Sequence, residues 1–173
     1  SLRKNGAFVA VATAKPQVFA EKILRHFCLA DYVDRIVGVE LDNRVSEKTA
    51  LIERALPEGA DRAKACMVGD RLFDMEAAKA TGVFPVGAGY GYGSTEELVR
   101  SGAEWVAGDV RDLTDFFWAI LRPSRDGFSP SRAPTAAASP HRLPWRNSGF
   151  RSAVTKPSSP ASRAAAPSPS GSA

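Results

Sequence analysis

The sequence predicts a doubly wound α/β layer, an open parallel sheet flanked by helices, and three observations carry that prediction. Short, continuously apolar runs alternate with stretches of helical period, as expected of strands covered on both faces and helices packed over them. Proline, glycine and capping residues fall at the junctions. The pattern also stops abruptly: residues 1–121 hold 15 basic and 18 acidic side chains, whereas residues 122–173 hold eight basic and one acidic, with nine of the 12 prolines, 12 serines and 10 alanines. That last stretch shows no hydrophobic period and cannot offset its ordering entropy by burial, so it is predicted to be a disordered tail.

Taken in order, residues 7–12 (AFVAVA) read as the first strand, ended by Thr13. Pro16 suits a first helical turn, and Phe19, Ile23, Leu24 and Phe27 follow at helical spacing. Residues 36–41 (IVGVEL) form a second strand. Ser46 is placed to cap a helix through Leu51, Ile52 and Leu56 that Pro57 stops. Cys66, Met67 and Val68 form a third strand, Gly69, Asp70 and Arg71 a turn, and 74–81 a helix closed by Gly82 in the left-handed conformation. Phe84, Pro85 and Val86 are the fourth strand, followed by a glycine loop. Ser94 and Glu97 make a capping box for a helix ending at Gly102. Trp105 and Val106 form an edge strand, and Asp109 caps a last helix through Leu113, Phe116, Phe117 and Ile120. Strands separated by helices of this length imply right-handed crossovers and a site at the carboxyl ends of the strands.

Several classes drop out. No apolar run approaches the roughly 20 residues of a membrane helix, and the amino end is too short and polar for a signal peptide, so a cytoplasmic protein is expected. Cys28 and Cys66 lack the spacing of a zinc site or a disulfide framework and read as two reduced, buried thiols.

The strand ends carry the chemistry. The first delivers Thr13, the third delivers Gly69 and Asp70, and Lys48 opens the helix after the second. A hydroxyl and an ammonium that hold phosphate oxygens, with a carboxylate that holds Mg²⁺, suit phosphoryl transfer. Asp74, four residues after Asp70, can face the same edge, and Gly69 lets the backbone turn tightly beside the metal.

Three segments, 11–16 (VATAKP), 44–48 (RVSEK) and 67–74 (MVGDRLFD), resemble motifs II, III and IV of the haloacid dehalogenase superfamily over about residues 2–121. The loop 89–94 (GYGYGS) and residues 101–104 (SGAE) are similar to its phosphoglycolate phosphatase and 5′-nucleotidase-like branch. The resemblance implies a Rossmann-like core in which Thr13 and Ala14 bind the phosphoryl group and Lys48 balances the charge of nucleophile and phosphate. It further implies that Asp70 ligates Mg²⁺, with Asp74 supporting the metal directly or through water. The family's nucleophile is an aspartate in a DxDGT sequence on a central strand between those of motifs II and IV, followed by a substrate-selecting cap. This chain has no D-x-D. The expectation is therefore a partial core without its first strand and cap, inactive and poorly stable alone, with Thr13 separated from Asp70.

Other features read as structure. The glycine loop lacks the third glycine of a dinucleotide cradle and is expected to rim the phosphate edge. Trp105, Phe116, Phe117 and Trp118 are expected to pack, and His26 needs no catalytic role. Lys15 is left open between a phosphate-edge contact and strand-end solvation. The expected partner is a small phosphorylated metabolite, with no membrane and no nucleic acid, and no sequence feature sets the oligomeric state. Two alternatives remain: a noncatalytic phosphate-binding or interaction protein on the same scaffold, and a basic-tailed nucleic-acid-associated protein. The tail itself reads as an unselected extension translated out of register.

Overall fold

The computed structural model describes residues 2–41 and 47–121; Ser46 with its capping role, Arg44, Val45 and the whole of 122–173 lie outside the described residues. Five strands and five helices alternate as the sequence predicts. They are β1 (Ala10–Pro16), α1 (Gln17–His26), β2 (Arg35–Val39), α2 (Lys48–Ala55), β3 (Cys66–Gly69), α3 (Leu72–Ala80), β4 (Phe84–Ala88), α4 (Thr95–Arg100), β5 (Trp105–Ala107) and α5 (Val110–Leu121).

Every strand pairing is parallel, but the described strands make two sheets, β1-β2 and β3-β4-β5, in place of one continuous open sheet. The parallel strands with flanking helices are as expected, and the split agrees with the separation expected of Thr13 and Asp70 when the central strand is missing. The two sheets share a flank. Ile52 of α2 packs in one cluster with Ala12 of β1, Met67 of β3, and Ala77 and Val83 around α3. Each sheet therefore leans on α2, while the outer edge of β1 and that of β3 have no strand partner among the described residues.

Several boundaries move, each for a local reason. The first strand lies at 10–16 and runs past Thr13, yet its regular ladder does stop at Ala12. Ala12 pairs with Val37 and Pro16 with Val39, so four steps on β1 oppose two on β2, and Thr13, Ala14 and Lys15 bulge out. The side chain of Gln17 fills in for the lost ladder: Gly38 N donates to its Oε1 at 2.6 Å and its Nε2 donates to Ile36 O at 3.1 Å. The second strand ends at Val39, before Leu41. Helix α3 begins at Leu72, before Asp74, because Asp74 accepts from Arg71 N at its Oδ2 and so closes the helix start from inside. Gly82 takes the left-handed conformation expected of it, at φ +70°.

The best-packed part of the core surrounds β4. Phe84, Val86, Trp105, Ala107 and Phe116 form a buried cluster, with Leu113, Phe117 and Ile120 of α5 packed against it. The Trp105 and Phe116 rings stack at 4.5 Å between centroids, which matches the packing role read for these aromatics. The opposite side is covered less well. Much of the apolar stripe of α1 faces outward: Phe19 and Ile23 are exposed, as is Phe27 just beyond, Leu24 is half-buried, and of the helix only Ala20 is buried. Cys28 is exposed as well, at φ +55°, instead of buried. Helical spacing shows that apolar side chains share a face, but covering that face takes a neighbour, and none of the described residues buries it.

Candidate active site

The carboxyl ends of β1 and β3 deliver the residues expected there, and Lys48 connects them. As the first residue of α2, Lys48 extends its Nζ to donate to Ala12 O of β1 at 2.9 Å and to pair with Asp74 Oδ1 of α3, also at 2.9 Å. Asp74 is a buried carboxylate, and its second oxygen accepts from Arg71 N at 3.3 Å. A carboxylate taken out of water requires both its charge and its lone pairs to be met, and this ammonium and this amide meet them. Lys48 thus joins the two sheets at the carboxyl ends of their strands, reaching β1 through a backbone carbonyl and the β3 side through an ion pair.

Gly69 makes this approach possible. A Cβ on it would lie 2.1 Å from the Cβ of Asp74, so any side chain there would push the start of α3 away from β3. The glycine that was read as allowing a tight turn serves here as room for a neighbouring side chain.

Asp70 stands at the end of β3 under the glycine loop, as that loop was expected to rim the edge. Tyr92 N donates to Asp70 Oδ2 at 3.0 Å, and Gly93 N donates to Asp70 O at 2.9 Å. A Cβ on Gly91 would meet the Asp70 Cβ at 2.2 Å, so the loop sits directly on the aspartate. Among the described residues nothing hydrogen-bonds to Oδ1. Mg²⁺ is commonly held by one or two carboxylates together with waters and phosphate oxygens, and Asp70, with one carboxylate oxygen fixed and the other open, fits such a site. An all-protein cage does not fit: no group of three or more His, Cys, Asp or Glu gathers among the described residues, and both oxygens of Asp74 are engaged.

Thr13 lies in the bulge of β1, where Lys15 N donates to its Oγ1 at 3.2 Å. Ala14 and Lys15 beside it are exposed, and Thr13 and Asp70 belong to different sheets, with no hydrogen bond between them among the described residues. The structure therefore brings Lys48 together with Asp74, sets Asp70 under the glycine loop, and leaves Thr13 on the other sheet. His26 packs edge-on against Phe27, with 5.0 Å between ring centroids.

Sequence reading missed two contributors. Gln17 carries no motif, and its bond to Gly38 shows only once β1 is seen to bulge. Glu97 was read as the second half of a capping box on α4. Half of that box forms, because Glu97 N donates to Ser94 Oγ at 3.1 Å. The Glu97 carboxylate turns instead to α3, where Oε1 accepts from Leu72 N at 3.0 Å and from Arg71 Nε at 3.1 Å. The Leu72 amide above all, and then the Arg71 guanidinium, hold the Glu97 carboxyl below its usual range. The Cys66 thiol is pushed the other way, up to about 12, by burial of its sulfur against the cluster around Phe84.

Known proteins resemble this chain in sequence and in fold. The sequence model of haloacid dehalogenase-like hydrolases matches residues 1–88. A 5′-nucleotidase of Pseudomonas aeruginosa is 43% identical over 95 residues, covering 54% of this chain and 43% of that protein. The phosphoglycolate phosphatase of Neisseria meningitidis is 34% identical over 65% of this chain and 49% of its own length. The tyrosine-protein kinase PtkA of Mycobacterium tuberculosis is 35% identical over 58% and 35%. The solved structure of a predicted phosphatase from Clostridium acetobutylicum superposes with a TM-score of 0.63 at 39% identity, covering 66% of this chain and 53% of that one. The chain spans half or less of the length of these curated relatives.

Proposed function

The chain belongs to the haloacid dehalogenase-like hydrolase family, and on that premise we propose that it carries the phosphate- and cation-binding half of a Mg²⁺-dependent phosphatase. The substrate class is a small phosphomonoester, as for the phosphoglycolate phosphatase it is similar to. Residues 1–121 are then a partial hydrolase core acting in the cytoplasm, and 122–173 a low-complexity appendage. No described helix is long and apolar enough to cross a membrane.

The observation that supports this reading most is the Lys48–Asp74 pair at 2.9 Å, a mostly buried ammonium at the carboxyl ends of two parallel sheets. An ammonium held there is placed to neutralise a phosphoryl group, with Asp74 fixing its direction. The Thr13 hydroxyl and the Ala14 N–H, presented by the bulge, would donate to phosphoryl oxygens. Asp70 would hold Mg²⁺ through Oδ1, and the ion would supply charge neutralisation on the same oxygens. Asp74, with both oxygens engaged, would support the cation by holding Lys48 and the α3 start in place.

The sequence has no D-x-D, so an aspartyl-phosphate route needs an aspartate strand that the described residues do not contain. The unpartnered edges of β1 and β3 are where such a strand would pair. The chain alone is therefore expected to show no turnover. Coexpression with a segment that ends in D-x-D-G-T should restore Mg²⁺-dependent hydrolysis of p-nitrophenyl phosphate or phosphoglycolate. Asp70→Ala or Lys48→Ala should then lower it by at least about 100-fold. Turnover by the chain alone that Asp70→Ala abolishes would overturn its inactivity, and restored turnover indifferent to both substitutions would overturn the site. A second reading is a noncatalytic phosphate-binding protein on the same scaffold. Its signature would be saturable binding of inorganic phosphate that is lost in Lys48→Ala, with no turnover after the segment is supplied.

A further inference from the structure

We infer that Glu97 is a positioning residue for the Asp70 carboxylate, acting as a tie from α4 to the turn that carries Asp70. This rests on the reading above, in which Asp70 faces the cation.

Among the described residues, the hydrogen bonds to the Asp70 carboxylate and carbonyl come from one side. Tyr92 N holds its Oδ2 at 3.0 Å and Gly93 N holds its carbonyl at 2.9 Å, both from the glycine loop that leads into α4. Those bonds hold Oδ2, and with it the carboxylate, only while the loop stays seated on the turn. The contact leaves no slack, since a Cβ on Gly93 would lie 2.4 Å from Asp70 O. A side-chain link fastens the two pieces together. Glu97 Oε1 accepts from Leu72 N at 3.0 Å and from Arg71 Nε at 3.1 Å, the two residues that follow Asp70.

Leu72 is the first residue of α3, so its N–H is one of the amides that the helix itself leaves unpaired, at the positive end of the helix dipole. A carboxylate from another helix is well suited to that place. Glu97 would ordinarily have reached back to its own helix start, and it caps its neighbour instead. The consequence is mechanical: α4, the glycine loop and the Asp70 turn move as one piece. Two of the fastenings start from loop amides, Tyr92 N to the Asp70 carboxylate and Gly93 N to the Asp70 carbonyl, and the third, the Glu97 side chain, can be removed without changing either the loop or Asp70.

The test is amide hydrogen exchange by NMR on the full chain, comparing Glu97→Ala and Glu97→Gln with the parent. In Glu97→Ala the Tyr92 and Gly93 amides should exchange about ten-fold faster. Thr81 and Val83 at the far end of α3, and Ser101 at the far end of α4, should stay within about two-fold. Glu97→Gln keeps an oxygen acceptor and should recover most of the protection at Tyr92 and Gly93. Unchanged protection at those two amides in Glu97→Ala overturns the proposal. So does a uniform rise across all five amides in both variants, or loss of the folded spectrum in both, because either would make Glu97 a general stability residue. A Mg²⁺ titration read at the Asp70 carboxyl carbon addresses the cation reading separately. A silent carboxyl with the exchange pattern intact would overturn that reading and leave the tie standing.

Discussion

β1 and β4 are both short apolar strands, and they end in opposite circumstances. β4, with β3 on one side and β5 on the other, has all five residues buried. β1, paired only with β2, has none of its seven buried, and Ala10, Ala14 and Lys15 are exposed. An unbroken apolar run states what a strand could bury, and its neighbours decide what it does bury. The same contrast extends to the helices. The apolar residues of α5 close over the β4 cluster, while most of those of α1 face outward.

The largest test of this contrast is removal of the group that joins its two halves. Lys48→Ala leaves the buried Asp74 without its counter-charge, and should cost about 3 kcal/mol or more in a denaturant titration followed by circular dichroism. A loss below about 1 kcal/mol would mean that Asp74 reaches water or another partner. Matched truncations come next. Val86→Ala, in the centre of β4 at 0% exposure, should destabilise by about 2–3 kcal/mol, and Val11→Ala in half-buried β1 by about 1 kcal/mol or less. Equal losses would show that β1 is covered as completely as β4.

Thiol chemistry sharpens the comparison with a smaller perturbation. Cys28, beside the exposed face of α1, should be modified by iodoacetamide at neutral pH. Cys66, with its thiol pushed up to about 12, should remain unmodified, and intact mass should report one label per folded chain. The smallest effect concerns Glu97. Its carboxyl is held below its ordinary value of 4.5, so its contribution to stability is complete above that pH and is lost as pH falls through the lowered value. In a pH series of thermal unfolding, Glu97→Gln should therefore flatten the acid limb and leave the neutral region closer to the parent.

Much of the fold was legible because it is local. Period, caps and breakers marked five strands and five helices in the right order, and Gly82, Ser94 and Asp109 end or begin helices as read. Asp109 Oδ1, for example, accepts from Arg111 N and Asp112 N. Boundaries slipped where a distant partner intervened: Gln17 substitutes for the β1 ladder, and Glu97 leaves its own helix for α3. The candidate site was legible as a set of residue types at strand ends, and Lys48, Asp70 and Asp74 do stand at that edge.

By itself, then, the sequence determined the alternation of elements, the parallel pairing that short crossover helices impose, and the residues offered at the carboxyl ends of the strands, since each follows from neighbours within a few positions along the chain. Only the tertiary structure decided that the strands form two sheets, that Lys48 bridges them through Ala12 and Asp74, that Asp70 lies beneath Tyr92 and Gly93, and that the faces of α1 and α5 differ. Those outcomes depend on which surfaces meet across tens of residues. An apolar pattern or a lone carboxylate looks the same whether or not its partner arrives.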